Sequence, residues 1–135
     1  MIEYIKKMWV DALRSGEYER GDGRLSFISN GRQRFCALGV LCDLAIKNDV
    51  DVEVRGNPHH FYPDYQFITY DQEKGVLPPS VMVWADIPFS SPTVMVSKTR
   101  GGEEFLDGDQ EWDIGDMNDS GYSWEVIAEA IERSL

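Results

Sequence analysis

Near the amino terminus apolar residues recur at three- and four-residue steps: Ile2, Ile5, Trp9, Ala12 and Leu13. That period predicts an amphipathic helix over 2–15, and Gly16 is placed to end it. A polar, glycine-rich connection, GEYERGDGRL, follows at 16–25. Two short runs then flank Asn30-Gly31. This pair is a strong hairpin signal, because both turn residues tolerate positive φ, and it predicts strands near 25–29 and 32–35. From Phe35 to Ile46 the chain is apolar on nearly every face, which predicts a central buried helix. Glycine weakens a helix interior by about 1 kcal/mol, so Gly39 points to a close approach by another element. Asn48 is a plausible stop.

Residues 49–74 read as a strand pair around a loop. VDVEV alternates, YQFITY is rich in aromatic and β-branched residues, and RGNPHHFYPDY between them is broken by proline. GVLPPSVMVWADI predicts a short helix with a proline in its first turn. SPTVMVS is a further strand, and residues 101–121 read as an acidic loop. DMNDSGYSW reads as a turn followed by a helix cap. Ser123 caps a last helix whose stripe is Trp124, Ile127, Ala128, Ile131 and Leu135. The expected fold is a single α+β domain over 1–135. It has a buried central helix, N- and C-terminal helices, and short antiparallel strands and hairpins.

Composition agrees. The chain has 135 residues and is 42% hydrophobic, enough for a real core. No apolar run approaches the ~20 residues of a membrane-spanning helix, and the first sixteen residues lack a signal peptide's apolar centre. The expectation is a cytoplasmic protein whose two cysteines stay reduced. Charge changes the picture more. Twenty-four acidic residues against thirteen basic give −11. Such a field repels nucleic acid and anionic lipid and favours basic partners, though it also serves plain solubility.

Four places hold candidate chemistry. Cys36 is expected near the first turn of the buried helix, where a thiol gains nucleophilicity, and His59 or His60 would supply a base. Against this, the segment is apolar on all sides, and free cysteine usually behaves as a small buried hydrophobe. The C-x5-C spacing of Cys36 and Cys42 is not that of a zinc knuckle. The second place is 101–121, with eight acids and no Lys or Arg. Asp107, Asp109 and Glu111 have the one-three-five spacing of a calcium loop, but Trp112 stands where such a loop needs glycine. As a docking surface, Glu103, Glu104, Phe105, Asp107, Asp109, Glu111, Trp112, Asp113, Asp116 and Asp119 interleave carboxylates with aromatic anchors. The third is DMNDSGYSW itself, best read as local structure. The fourth combines the polar loops 16–24 and 55–65. There Arg20, Arg24, Arg55, His59 and His60 stand among aromatics, a composition suited to a phosphate and a base. No phosphate-cradling loop, glycine fingerprint or hydrolase elbow is present, and no metal or cofactor is expected.

Taken in order, WVDALRSGEY at 9–18, FCALGVLCDLA at 35–45, GVLPPSVMVWADI at 75–87 and MNDSGYSWEVIAEAIE at 117–132 resemble a family of small uncharacterised tailed-bacteriophage and prophage proteins. Two departures stand out. Tyr18-Glu19-Arg20 replaces a common Tyr-x-Gln, and Cys36-Ala37 replaces a common cysteine pair. The resemblance implies an accessory phage product in a bacterial cytoplasm, a setting in which such genes counter host defence or redirect host enzymes. Three functional readings follow. The first is a non-catalytic protein whose acidic face occupies a basic site on a host protein, such as a nuclease or CRISPR effector, in place of nucleic acid. The second is a sponge for a nucleotide-like small ligand. The third is a Cys36-dependent hydrolase or transferase.

Overall fold

The computed structural model describes residues 1–96, 99–100, 103–104 and 110–135. Helix α1 runs Glu3–Ser15 and ends at Gly16, whose φ of 77° is the left-handed conformation a helix C-terminus favours. Strands β1 (Ser26–Ser29) and β2 (Arg32–Phe35) form the expected hairpin, with Asn30 at φ 53° and Gly31 at φ 77°. Both turn residues at positive φ match the twist of the flanking strands. Helix α2 (Ala37–Lys47) follows at once and buries eight of its residues, including Gly39 and Cys42. It is the centre of the core. A Cβ on Gly39 would lie 1.8 Å from the Leu25 carbonyl oxygen, so the glycine admits the start of β1 against the helix.

The strand expected in VDVEV is absent. Asp49 takes φ 63° and the Val50 N–H donates to the Ala45 carbonyl, so this stretch closes the end of α2. Pairing begins at Val54 instead. Strand β3 (Val54–Pro58) runs antiparallel to β4 (Tyr65–Tyr70), and the sheet order is β2-β1-β4-β3. Helix α3 (Pro79–Ala85) starts on proline as expected.

Strand β5 (Thr93–Val96) comes next, then a two-residue ladder, β6 (Thr99–Arg100) with β7 (Glu103–Glu104). Strand β8 (Gln110–Asp113) pairs with β5, and helices α4 (Ile114–Asp119) and α5 (Trp124–Ser134) close the chain. The acidic stretch is therefore not all loop. Its second half is a strand and a helix, because Val94 and Val96 seat β5 in the core beside β8, while Ile114, Met117 and Asn118 bury one side of α4. Ser123 caps α5 by accepting from the Val126 N–H, as its position predicts. The architecture is α+β, with five helices and antiparallel sheets among the described residues. No described helix is long and apolar enough to cross a membrane.

Alternation along the strands gives the four-stranded sheet two unlike faces. Ser26, Phe35, Ile68 and Tyr70 point into the core. Phe27, Ser29, Arg32, Arg34, Tyr65 and Phe67 share the outer face by register. On that outer face the Phe27 and Tyr65 rings stack at 5.4 Å.

Candidate functional site

The best-formed concavity among the described residues lies on the outer face, at the end of the sheet far from α2. It is a cleft of about 570 Å³ lined by Arg24, Ser29, Asn30, His59, Tyr62, Pro63, Asp64 and Tyr65. Ser29 and Asn30 come from the end of β1 and its turn. Residues 59–64 form the connection from β3 to β4, and Arg24 reaches over from the segment before β1. Its guanidinium carbon sits 4.4 Å from the Phe67 ring centroid, and its Nε donates to the Tyr65 hydroxyl at 3.2 Å. The His59 ring lies 4.9 Å from Tyr62, and its Nδ1 accepts from the Phe61 N–H at 3.1 Å. Phe61 and Tyr62 are exposed, at 83% and 65%. Large aromatics left in water beside a cleft are the usual anchors of a binding surface.

Of the five residues expected to hold a small ligand, the structure brings Arg24 and His59 together in this cleft. Arg20 is elsewhere. Its guanidinium donates to the carbonyls of Asn118 and Tyr122, tying the segment before β1 to the end of α4. Arg55 is exposed on β3 and pairs with Glu53 at 3.6 Å. His60 is exposed in the connecting turn and does not line the cleft. The aromatic-rich loop 55–65 was the signal for the site. The share taken by Ser29 and Asn30 depends on the β1–β4 register, which no local pattern encodes.

The cysteines are core residues in this fold. Cys36 is the N-cap of α2, and its Sγ accepts from the Gly39 N–H at 3.4 Å. A helix N-terminus lowers a thiol pKa, but burial is the larger effect here and pushes Cys36 up to about 11. Burial holds Cys42 well above its ordinary range too. Another helix donor, the Ala37 N–H, is already given to the Asn118 side chain at 3.1 Å. Cys36 abuts the Leu25 end of β1, whereas His59 sits beyond Ser29. Four strand residues span about 14 Å, so the histidines do not serve this thiol.

The acidic residues divide. Glu103 and Glu104 form β7, and Phe105, Asp107 and Asp109 lie outside the described residues. Of the rest, three carboxylates have internal partners. Glu111 accepts from the Thr93 hydroxyl at 2.6 Å, Asp113 caps α4 through the Asp116 N–H at 3.0 Å, and Asp119 accepts from the Gly23 N–H at 2.8 Å. Trp112 is half-buried edge-on to Tyr122. Asp116 stays exposed in the first turn of α4. Among the described residues no three His, Cys, Asp or Glu side chains gather as a metal site.

Asn118 is the residue most underestimated by a reading of DMNDSG as a turn. It is fully buried, and four hydrogen bonds converge on its side chain. Trp9 donates from its indole to the Ala37 carbonyl at 2.9 Å, on the same turn of α2. Segments 9–18, 35–45 and 117–132 thus meet at one structural junction, remote from the cleft.

No curated protein and no solved structure matches the chain. A family model described as a domain of unknown function (DUF8296) matches residues 1–135, the whole of the chain, which therefore belongs to that family.

Proposed function

We propose that the protein is a non-catalytic binding protein whose ligand site is the outer-face cleft, and that the ligand is a small, flat, anionic molecule. The observation that carries this reading is the lining itself. The rings of His59, Tyr62 and Tyr65 line one cleft with a guanidinium, Arg24, that forms no ion pair among the described residues. Flat aromatic walls select a flat ligand through stacking. An unpaired arginine selects an anion, and its fork suits phosphate or carboxylate. The volume falls in the ordinary range for small-molecule sites, ~300–1,000 Å³.

Long nucleic acid is a poor fit. A protein that tracks a phosphate backbone neutralises several phosphates. On this face Arg32 and Arg34 already pair with Glu19, at 2.8 and 3.4 Å, and Arg55 with Glu53. One guanidinium without an ion pair among the described residues of this face matches one anionic group. The overall charge of −11 does not forbid that, because its field is screened beyond ~8 Å at physiological salt while a guanidinium contact is far shorter. Cys36, whose thiol is covered and stays protonated at neutral pH, supports no covalent step.

A thermal-shift screen of flat anions tests the reading. Ligand at ~100 times its Kd stabilises the folded chain by about 2.7 kcal/mol. The shift should disappear in Arg24→Ala and Tyr62→Ala. A ligand bound equally well by both variants would place the site elsewhere.

The second reading is an acidic docking face for a basic host protein. Eight carboxylates with no Lys or Arg at 101–121 support it, Asp116 being exposed. The phage setting comes with it from the sequence motifs. Charge-steered association is fast and salt-sensitive. A tagged pull-down from bacterial lysate should therefore capture a basic protein at low salt and lose it at high salt.

A further inference from the structure

A second charged group lines the cleft and narrows the ligand class. Asp64 stands in the turn that carries Tyr62 and Pro63. Its backbone carbonyl accepts from the Asn30 N–H at 3.1 Å, but its carboxylate has no ion pair or hydrogen bond among the described residues. Arg24 and Asp64 are opposite charges in one cleft, and they do not pair with each other. Each is free for a group on the ligand, and the two groups are separate along it.

Resting on the cleft as the binding site, we propose that its ligand is a nucleoside monophosphate. The base lies against Tyr62 and Tyr65, the phosphate meets Arg24, and Asp64 accepts from a ribose hydroxyl or an amino group on the base. Three independent demands point to this class. The rings ask for a flat heteroaromatic. Arg24 asks for an anion. Asp64, acceptor-only when ionised, asks for a donor. An unsubstituted aromatic carboxylate has no donor for Asp64, and an aromatic amine has no anion for Arg24. An aromatic amino acid carries its ammonium and carboxylate on one carbon, whereas Arg24 and Asp64 do not approach within ion-pair distance. Only an indole N–H or a phenol would give it a separated donor, which makes tryptophan the competing probe. A nucleotide carries ring, donor and anion at separated positions. Ser29 and Asn30 add short polar groups at the same rim, suited to an edge of the base or to the ribose.

Calorimetry on the full chain tests this with four probes: the set of ribonucleoside 5′-monophosphates, the matching nucleosides, inorganic phosphate, and tryptophan. At least one nucleotide should bind ten-fold or more tighter than its nucleoside. Arg24→Gln should abolish that difference and leave nucleoside binding unchanged. Asp64→Asn should weaken nucleotide and nucleoside by the same factor. Both variants should keep the wild-type melting temperature within a few degrees, since neither side chain is in the core. Equal binding of nucleotide and nucleoside would overturn the assignment of Arg24. Tryptophan or another flat carboxylate binding, with no nucleotide binding, would overturn the nucleotide class and keep the cleft. Silence from every flat anion would overturn both.

Discussion

The indole N–H of Trp124 donates to the buried Oδ1 of Asn118 at 2.8 Å, and the same oxygen accepts from the Ala37 N–H at 3.1 Å. The amide nitrogen of Asn118 completes the set, donating to the Gly21 carbonyl and to Asp22, both at 3.0 Å. One side chain thus joins the first turn of α5, the start of α2 and the segment before β1. Asn118→Ala leaves buried donors and an acceptor without partners, each costing about 1–3 kcal/mol. The losses share one site and do not simply add. A total near 3 kcal/mol is expected, with a melting temperature about 10 °C lower. Urea unfolding followed by Trp fluorescence measures it. A loss under about 0.5 kcal/mol would mean that water replaces the amide at no cost.

Gly39 sets a second, sharper limit. Alanine is ordinarily the better helix residue by about 1 kcal/mol. Here the added methyl would sit 1.8 Å from the Leu25 carbonyl oxygen, a backbone atom that also accepts from the Cys36 N–H. Something must move, and the hairpin start and the helix are both held. Gly39→Ala should therefore cost more than about 3 kcal/mol, at the upper end of overpacking effects, despite its propensity gain. Gly115→Ala, whose methyl would meet the Asp113 side chain at 3.0 Å and the Leu38 side chain at 3.8 Å but no backbone atom, serves as the milder control.

How far such details can be read in advance differs by element. The helices at 3–15 and 124–134 and the hairpin at 26–35 were legible, because periodicity, capping serine and Asn-Gly are local signals. Gly39 was legible as a close contact, since nothing else justifies glycine in so apolar a helix. The strand sought in VDVEV was not, because alternation there reflects Val50 and Val52 packing against the core after α2, with no partner strand. Helix α4 hid inside an acidic stretch, because six residues carry too little periodicity to outweigh Asn, Asp and Gly. In the cleft, Arg24 and His59 were legible by composition. Arg20 was not separable from them, because whether an arginine faces a ligand or a carbonyl is settled by tertiary contacts. Asp64 and Asn30 enter only through the pairing of β1 with β4.

The raised thiols predict a pH dependence. Cys36 ionises at about 11 when folded, against an ordinary 9.0. The folded state therefore holds its proton longer than the unfolded state does. The stability tied to that proton is complete below about pH 9 and is lost as pH rises toward 11, a swing of about 2–3 kcal/mol for a two-unit shift. Cys42 adds in the same direction. Lysines and tyrosines titrate in this window too, so the readout is a difference. The wild type should lose more stability between about pH 8 and about pH 10.5 than Cys36→Ser does. Serine still caps the helix and does not ionise there. At neutral pH iodoacetamide should label both cysteines only after denaturant is added. Rapid labelling of the folded chain would restore the thiol as candidate chemistry.

Arg20 and Arg24, four residues apart in the chain, should separate stability from binding. Arg20 donates to two carbonyls at the end of α4, one of them that of Asn118, and charge-assisted bonds of this kind contribute about 1.5–3 kcal/mol each. Arg20→Ala should cost roughly 2–3 kcal/mol, since the two bonds share one side chain, and should leave the ligand affinity of the folded fraction unchanged. Arg24 stacks on Phe67 at the half-exposed rim, where a cation–π contact contributes about 0.5–1 kcal/mol. Arg24→Ala should cost no more than that in stability while abolishing the ligand shift. Paired urea melts and ligand titrations on the two variants give the four numbers required. If Arg20→Ala lost affinity and kept stability, the binding site would lie against α4, beside the acidic residues, and the cleft would not be the site.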